Sequence, residues 1–187
     1  MVKITSYRDL VDDLVNIFCN VGYDGSSLTI LSKNTGLGRA SLYYHFPGGK
    51  EEMARAVYDR ISKDFTRLVL SPLAADVTFE KKIQAMISGI DLFYKSGKRS
   101  CLIDVFAIGS SKKFFSKEIH SAILYWIDSL ARVFMDRGVG EEKAKIIAEE
   151  AIIAIEGSLV FARATENYDS FKRTLENISK KLLSDIE

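Results

Sequence analysis

Proline occurs only twice in the 187 residues, at Pro47 and Pro72. Because proline removes a backbone donor and clashes with the preceding turn, a chain so poor in it can run through long, uninterrupted helices almost everywhere. The 12 glycines fall mostly between periodic stretches, where they read as stops. That combination disfavours an all-β architecture and predicts an all-α chain. With 47% hydrophobic and 27% charged residues, the chain can bury a real core under a soluble surface, which excludes disorder and low complexity.

Leu10, Leu14, Ile17, Phe18 and Val21 recur at steps of three and four, so a helix is expected over 6–21, with Gly22 as its left-handed stop. Ser26 and Ser27 can cap a short helix that starts at Leu28 and ends before Gly36; Gly38 can cap a third over Arg39–His45, which Pro47-Gly48-Gly49 terminates. Met53 to Leu68 mark a helix of about 20 residues, about 30 Å long at 1.5 Å per residue. After Pro72, further helices are expected over Phe79–Tyr94, Leu102–Ile108, Ile119–Phe134, Glu141–Ala164 and Ser170–Leu183. The count is about nine helices and no strand. A cut near residue 50 separates three short helices from the longer ones, giving domains 1–50 and 51–187.

The run Ala151-Ile-Ile-Ala-Ile155 is apolar on every face, and such a helix must be covered on all sides. Either it is central within one chain, or it packs on its own subunit inside and a second subunit outside. Its place near the C-terminus, with only one more helix to shield it, favours a homodimer. Ile153, Gly157, Leu159 and Leu175 are the expected seam positions.

A net charge near +1 leaves no whole-chain field for nucleic acid or membrane, so any basic site must be local. No h-region opens the chain and no stretch approaches the roughly 18 apolar residues of a membrane span. Neither export nor membrane insertion is expected, and Cys19 and Cys101, far apart in apolar runs, fit a reducing cytoplasm as small buried hydrophobes.

Residues 27–45 pair two short helices across a glycine-containing turn, the sequence form of a helix-turn-helix. On the second helix, Leu37, Leu42 and Phe46 can face inward. Arg39 can bond two acceptors on guanine, Ala40 can touch a thymine methyl, and Ser41, Tyr43, His45 and Lys50 can hold phosphates. From Lys33 to Lys50 there are three cationic side chains and no carboxylate, so the local field is positive. Singly, Tyr43 and Tyr44 read equally well as core aromatics and Lys50 as a solvated charge. Together, on one short helix after a turn, these residues favour DNA.

The stretch Thr35-Gly-Leu-Gly-Arg-Ala-Ser-Leu-Tyr-Tyr-His-Phe-Pro-Gly-Gly-Lys-Glu-Glu-Met53 resembles the recognition-helix signature of the TetR family of bacterial transcriptional regulators. The likeness covers roughly 6–58 by motif. Pro47-Gly-Gly-Lys50, Arg99-Ser-Cys-Leu102 and Ile155-Glu-Gly-Ser-Leu-Val-Phe-Ala-Arg-Ala-Thr165 are similar to its LmrA/YxaF-like branch. The resemblance implies that Arg39 and Ala40 approach base edges, that Ser41, Tyr43, His45 and Lys50 hold the backbone, and that Thr29 adds a contact. It also implies a homodimer on double-stranded operator DNA, acting as a repressor that a small-molecule effector releases. Gly38 departs from the Ser common before the recognition helix, and Ser32 and Thr35 replace small alanines.

For the effector, a mostly apolar pocket is expected among the helices that carry Met86, Phe93, Phe106, Trp126 and Phe161, favouring a hydrophobic or aromatic ligand; core packing is the competing reading of the same aromatics. Asp91, Asp104 and Glu156 interrupt apolar runs. An acid facing the pocket would favour a cationic or hydroxylated ligand. Gly36-Leu-Gly38-Arg-Ala-Ser41 misses a dinucleotide fingerprint by its third position and lacks a preceding strand, and Gly48-Gly49-Lys50 lacks the rest of a phosphate loop. With His45 and His120 the only histidines, no metal, cofactor or catalytic constellation is nominated. The alternatives are a ligand-independent DNA-binding protein and, further off, a helical enzyme or a pure dimerisation module.

Overall fold

The computed structural model of the chain describes residues 6–184 and contains nine α-helices, with no strand among the described residues. They are α1 (Tyr7–Gly25), α2 (Leu28–Thr35), α3 (Arg39–His45), α4 (Gly49–Phe65), α5 (Phe79–Phe93), α6 (Leu102–Phe106), α7 (Lys112–Met135), α8 (Glu141–Thr165) and α9 (Tyr168–Ser184). A π-helical turn over Thr66–Leu70 and a 3₁₀ turn over Ser71–Ala74 follow α4, and a 3₁₀ turn over Gly109–Ser111 precedes α7.

The expected stops act largely where glycine and proline stand. Gly22 takes φ 71°, ψ 175° and kinks α1 at the expected position, although one further turn continues to Gly25. Pro72 lies in the first turn of the 3₁₀ segment, where its missing N–H costs no helical bond. α7 begins seven residues before the expected Ile119, because Lys112 to Glu118 carry a weaker apolar signal. No helix among the described residues is long and apolar enough to cross a membrane.

Two compact units emerge. One comprises the stretch ending at Lys63 together with Leu102–Ile119; the other comprises Asp64–Cys101 and the stretch from His120 onward. In the first, Leu10, Leu14 and Phe18 of α1 are fully buried with Leu31, Leu42 and Phe46. Phe106 of α6 joins them: its ring lies 6.1 Å from Phe18, 4.7 Å from Phe115 and 6.4 Å from Tyr58. This aromatic cluster binds α4, α6 and the start of α7 to α1, so the unit is discontinuous in sequence, whereas the sequence reading makes a single cut near residue 50.

In the second unit, α5 packs against the π turn and α9, and α8 packs along α9. Gly89 permits the first of these contacts, since a Cβ there would lie 1.9 Å from the Leu68 carbonyl oxygen. Phe65, Phe93 and Trp126 form a T-shaped aromatic stack with centroid separations of 5.1 and 4.9 Å. The Ala151–Ile155 run is covered on one side only: Ala151, Ile152 and Ile155 are buried, while Ile153 is 62% exposed.

Candidate DNA-binding face

Local chemistry builds the helix-turn-helix. Ser27 Oγ accepts from the Ile30 amide at 3.3 Å and caps α2, and Gly36 closes it in the left-handed region, at φ 71°. Two side chains then tie the turn that follows. Ser32 Oγ donates to the Leu37 carbonyl at 2.7 Å, and Thr35 Oγ1 donates to the Leu31 carbonyl at 2.8 Å while accepting from the Leu37 amide at 3.3 Å. The residues that depart from the small alanines of the resemblance thus brace the turn. The composition of the turn could have suggested this, since Ser and Thr bond nearby backbone readily.

Gly38 stands at the N-cap of α3 and offers no side-chain cap. Leu42 and Phe46 are fully buried and Leu37 half-buried, so the helix is anchored by one face. The other face presents Arg39, Ala40, Ser41, Tyr43, Tyr44 and His45 to solvent, with Tyr44 82% exposed. Arg39 Nη2 donates to Thr29 Oγ1 at 2.8 Å, joining the first turn of α3 to the first turn of α2. Tyr44 and His45 meet edge to face at 5.3 Å, and the Tyr7 ring lies 6.5 Å from His45 and 5.6 Å from Phe46. Thr29, Arg39, Ala40, Ser41, Tyr43 and His45 are therefore all on the open side of one small unit.

Lys50 is placed differently. It is half-buried at the start of α4, its ammonium 4.2 Å above the Tyr23 ring. Burial pushes its pKa down, and the nearby Asp24 charge partly opposes that. Tyr23 is itself pushed up by burial and by the charges of Glu51 and Asp24.

The residues expected to line an effector site divide. Met86, Phe93 and Trp126 are buried together in the second unit; Phe106 belongs to the first, in the cluster with Phe18, Tyr58 and Phe115. Phe161 is 56% exposed on α8, where it borders an open groove with Ala154, Gly157 and Ser158 on one side and Arg173 and Asn177 of α9 on the other. The Trp126 indole N–H is buried and finds no acceptor among the described residues. Asp91 is half-buried at the end of α5, within 3.4 Å of Ser96 Oγ, and the Asp104 side chain lies outside the described residues.

Sequence reasoning missed the pair that makes Glu156 intelligible. The Tyr94 hydroxyl donates to Glu156 Oε1 at 2.9 Å, and burial together with the Glu156 charge pushes the Tyr94 pKa well above 10. Arg99 lies beside it, its guanidinium 5.0 Å from the Phe93 ring and Nη1 3.2 Å from the Phe93 carbonyl. No short-range pattern connects residues 62 apart.

Of the expected seam residues, Ile153 and Gly157 are exposed, and a Cβ at Gly157 would meet nothing within 4 Å. Leu159 and Leu175 are buried within their own subunit. Ile146, Val160 and Phe161 extend the open apolar face of α8 along helical spacing.

Residues 80–177 match the family described as transcriptional regulator LmrA/YxaF-like, C-terminal domain. Across 166 residues the chain is 22% identical to the HTH-type transcriptional regulator LmrA of Bacillus subtilis (strain 168), covering 87% of this chain and 88% of that one. Among solved structures, a TetR transcriptional regulator from Legionella pneumophila superposes with a TM-score of 0.78 at 22% identity, covering 97% of this chain and 99% of the other. A cysteine-substituted mutant of the TetR family transcriptional regulator CifR, in complex with a 26-base-pair double-strand operator DNA, superposes with a TM-score of 0.74 at 18% identity and 98% coverage of both chains.

Proposed function

The chain belongs to the TetR family of transcriptional regulators, in the branch with the LmrA/YxaF-like C-terminal domain, and we propose that it is a homodimeric repressor released from a palindromic operator by a small hydrophobic or aromatic effector. The observation that carries this reading is the open face of α3, where Arg39, Ala40, Ser41, Tyr43 and His45 stand together above a buried Leu42 and Phe46. In this reading residues 1–50 carry DNA recognition and 51–187 carry dimerisation and effector binding, in the cytoplasm and without catalysis.

Arg39 reads a guanine edge through its paired donors, and Ala40 touches a thymine methyl. Ser41, Tyr43, His45, Thr29 and Lys50 hold phosphates and fix the register. The exposed apolar face of α8, with Ile153 and Gly157 at its centre, supports an isologous seam with a second copy, in which Leu159 and Leu175 stiffen the helices from behind. Two reading heads related by a two-fold enter successive major grooves when their recognition helices stand about 34 to 36 Å apart. An effector that favours another spacing weakens DNA binding by the same coupling free energy with which DNA weakens the effector. Met86, Phe93 and Trp126, gathered in one unit, support an aromatic effector there, and Phe161 of the same unit is assigned to its rim.

Fluorescence anisotropy on the intergenic DNA beside the coding gene tests the reading, first alone and then with a panel of hydrophobic compounds. Tight, salt-dependent binding to an inverted repeat, reversed by one class of compound, is expected. Binding that no compound alters would favour the ligand-independent reading, and no preference for any fragment would defeat both.

A further inference from the structure

Lys50 is expected at a phosphate, yet its ammonium is folded back over Tyr23, within the field of a carboxylate that is itself held from elsewhere in the chain. Asp24 stands next to Tyr23, at the end of α1. One of its carboxylate oxygens accepts from the Ser110 backbone N–H at 3.1 Å and the other from the Ser110 hydroxyl. These bonds, with the attraction of Lys50, hold the Asp24 carboxyl below the usual carboxylate range. Gly109 has φ +73°, and a Cβ there would collide with Asp24 Oδ2, so the Gly109–Ser111 turn comes this close because the residue is glycine. Ser111, fully buried, pins the turn by donating to the Ile108 carbonyl at 2.9 Å. The turn that leads into α7 thus holds the carboxylate whose field Lys50 feels.

Resting on the reading that residues 1–50 grip DNA, we propose that the Gly109–Ser111 turn regulates that grip by holding the Asp24 carboxylate on Ser110, so that displacement of the turn frees Asp24 to compete with a DNA phosphate for the Lys50 ammonium. A carboxylate that loses two donors takes the nearest cation, and Lys50 is already within its field. The ammonium, lying on an aromatic face rather than in a closed ion pair, is free to leave for a phosphate while Asp24 is occupied. Once Asp24 is released, each operator half-site loses one phosphate contact.

The test uses the full chain, a random-sequence duplex, which reads phosphate contacts alone, and side-chain ¹³C NMR of Lys50 as a readout that needs no DNA. Ser110→Ala, which removes the hydroxyl donor and keeps the backbone N–H, loosens the carboxylate in part and should weaken duplex binding about two- to five-fold at low salt, the range of a partly exposed charge contact. Asp24→Asn keeps an oxygen for Ser110 but removes the charge, so it should tighten binding slightly and make Ser110→Ala silent in its background. The Lys50 titration should move to higher pH in Ser110→Ala and stay put when Ser110→Ala is added to Asp24→Asn. An unmoved Lys50 titration beside normal salt-dependent binding, or an equal loss in both backgrounds, overturns this proposal alone. A wild-type chain without salt-dependent duplex binding overturns the DNA reading and this proposal with it.

Discussion

Arg39 and Thr29 are joined by a 2.8 Å hydrogen bond from the guanidinium Nη2 to the hydroxyl Oγ1, so the residue expected to read a base is steadied by the helix that precedes the recognition helix. A guanidinium has five donors in a rigid fork, and using one on Thr29 leaves the others for the two major-groove acceptors of guanine. The bond limits the rotamers that Arg39 must give up on binding. Arg39→Ala should cost about 1 to 3 kcal/mol on the operator and flatten discrimination at one position in each half-site. Thr29→Val, which keeps the shape and removes the acceptor, should cost about 0.5 to 1.5 kcal/mol. Anisotropy on operator and scrambled duplexes measures both; a specificity ratio unchanged in Arg39→Ala would remove Arg39 from base reading.

The exposed and buried faces of α8 predict different failures. A carboxylate at Ile153, which is 62% exposed, should leave the subunit folded but dissociate the dimer, because it places charge in the proposed seam without disturbing the core. Leu159→Asp should unfold the chain, since its side chain is buried among its own helices. Light scattering with circular dichroism separates the two. A dimeric Ile153→Asp would move the seam elsewhere.

Gly89→Ala should lower stability by about 2 to 3 kcal/mol, because the new Cβ would lie 1.9 Å from a backbone oxygen and α5 would have to move off the π turn. Chemical denaturation gives the value directly. A loss below about 0.5 kcal/mol, the range of unremarkable surface changes, would mean that this contact is looser than the geometry requires.

Tyr94 predicts an alkaline limit. Its folded pKa is raised well above 10, by burial first and by Glu156 next, so the folded chain holds the phenol proton more tightly than the unfolded chain does. The stability it contributes is therefore intact below about pH 10, its ordinary value, and is lost as pH rises from there through the folded value. Tyr94→Phe should flatten the alkaline part of the stability profile. At neutral pH it should cost about 1 to 3 kcal/mol for the hydrogen bond to Glu156. An alkaline profile that is the same with and without the hydroxyl would assign the limit to another group.

What the sequence determined alone is what a segment settles within a turn or two of itself. Ser27 and Gly36 bound α2 because a capping oxygen and a left-handed residue act on amides three or four positions away, and α3 has one buried face because Leu42 and Phe46 recur at helical spacing. The chemistry of Arg39, Ser41, Tyr43 and His45 was legible for the same reason: the spacing that buries Leu42 leaves those neighbours outside. Tertiary structure decided the rest. Whether Leu159 or Ile153 faces out could not be read from a run that is apolar on every side; the packing of α9 on α8 chose. Phe106 looked like a companion of Phe93 and Trp126 by type, yet it packs with Phe18 and Phe115 in the other unit. Lys50 looked like a free cation beside two glycines, and only the fold laid its ammonium over the Tyr23 ring, near an Asp24 carboxylate that Ser110 holds from 86 residues away. Caps and periodicity are local energies, whereas these placements depend on which distant surface wins the competition to cover a side chain, and that competition exists only once the chain has folded.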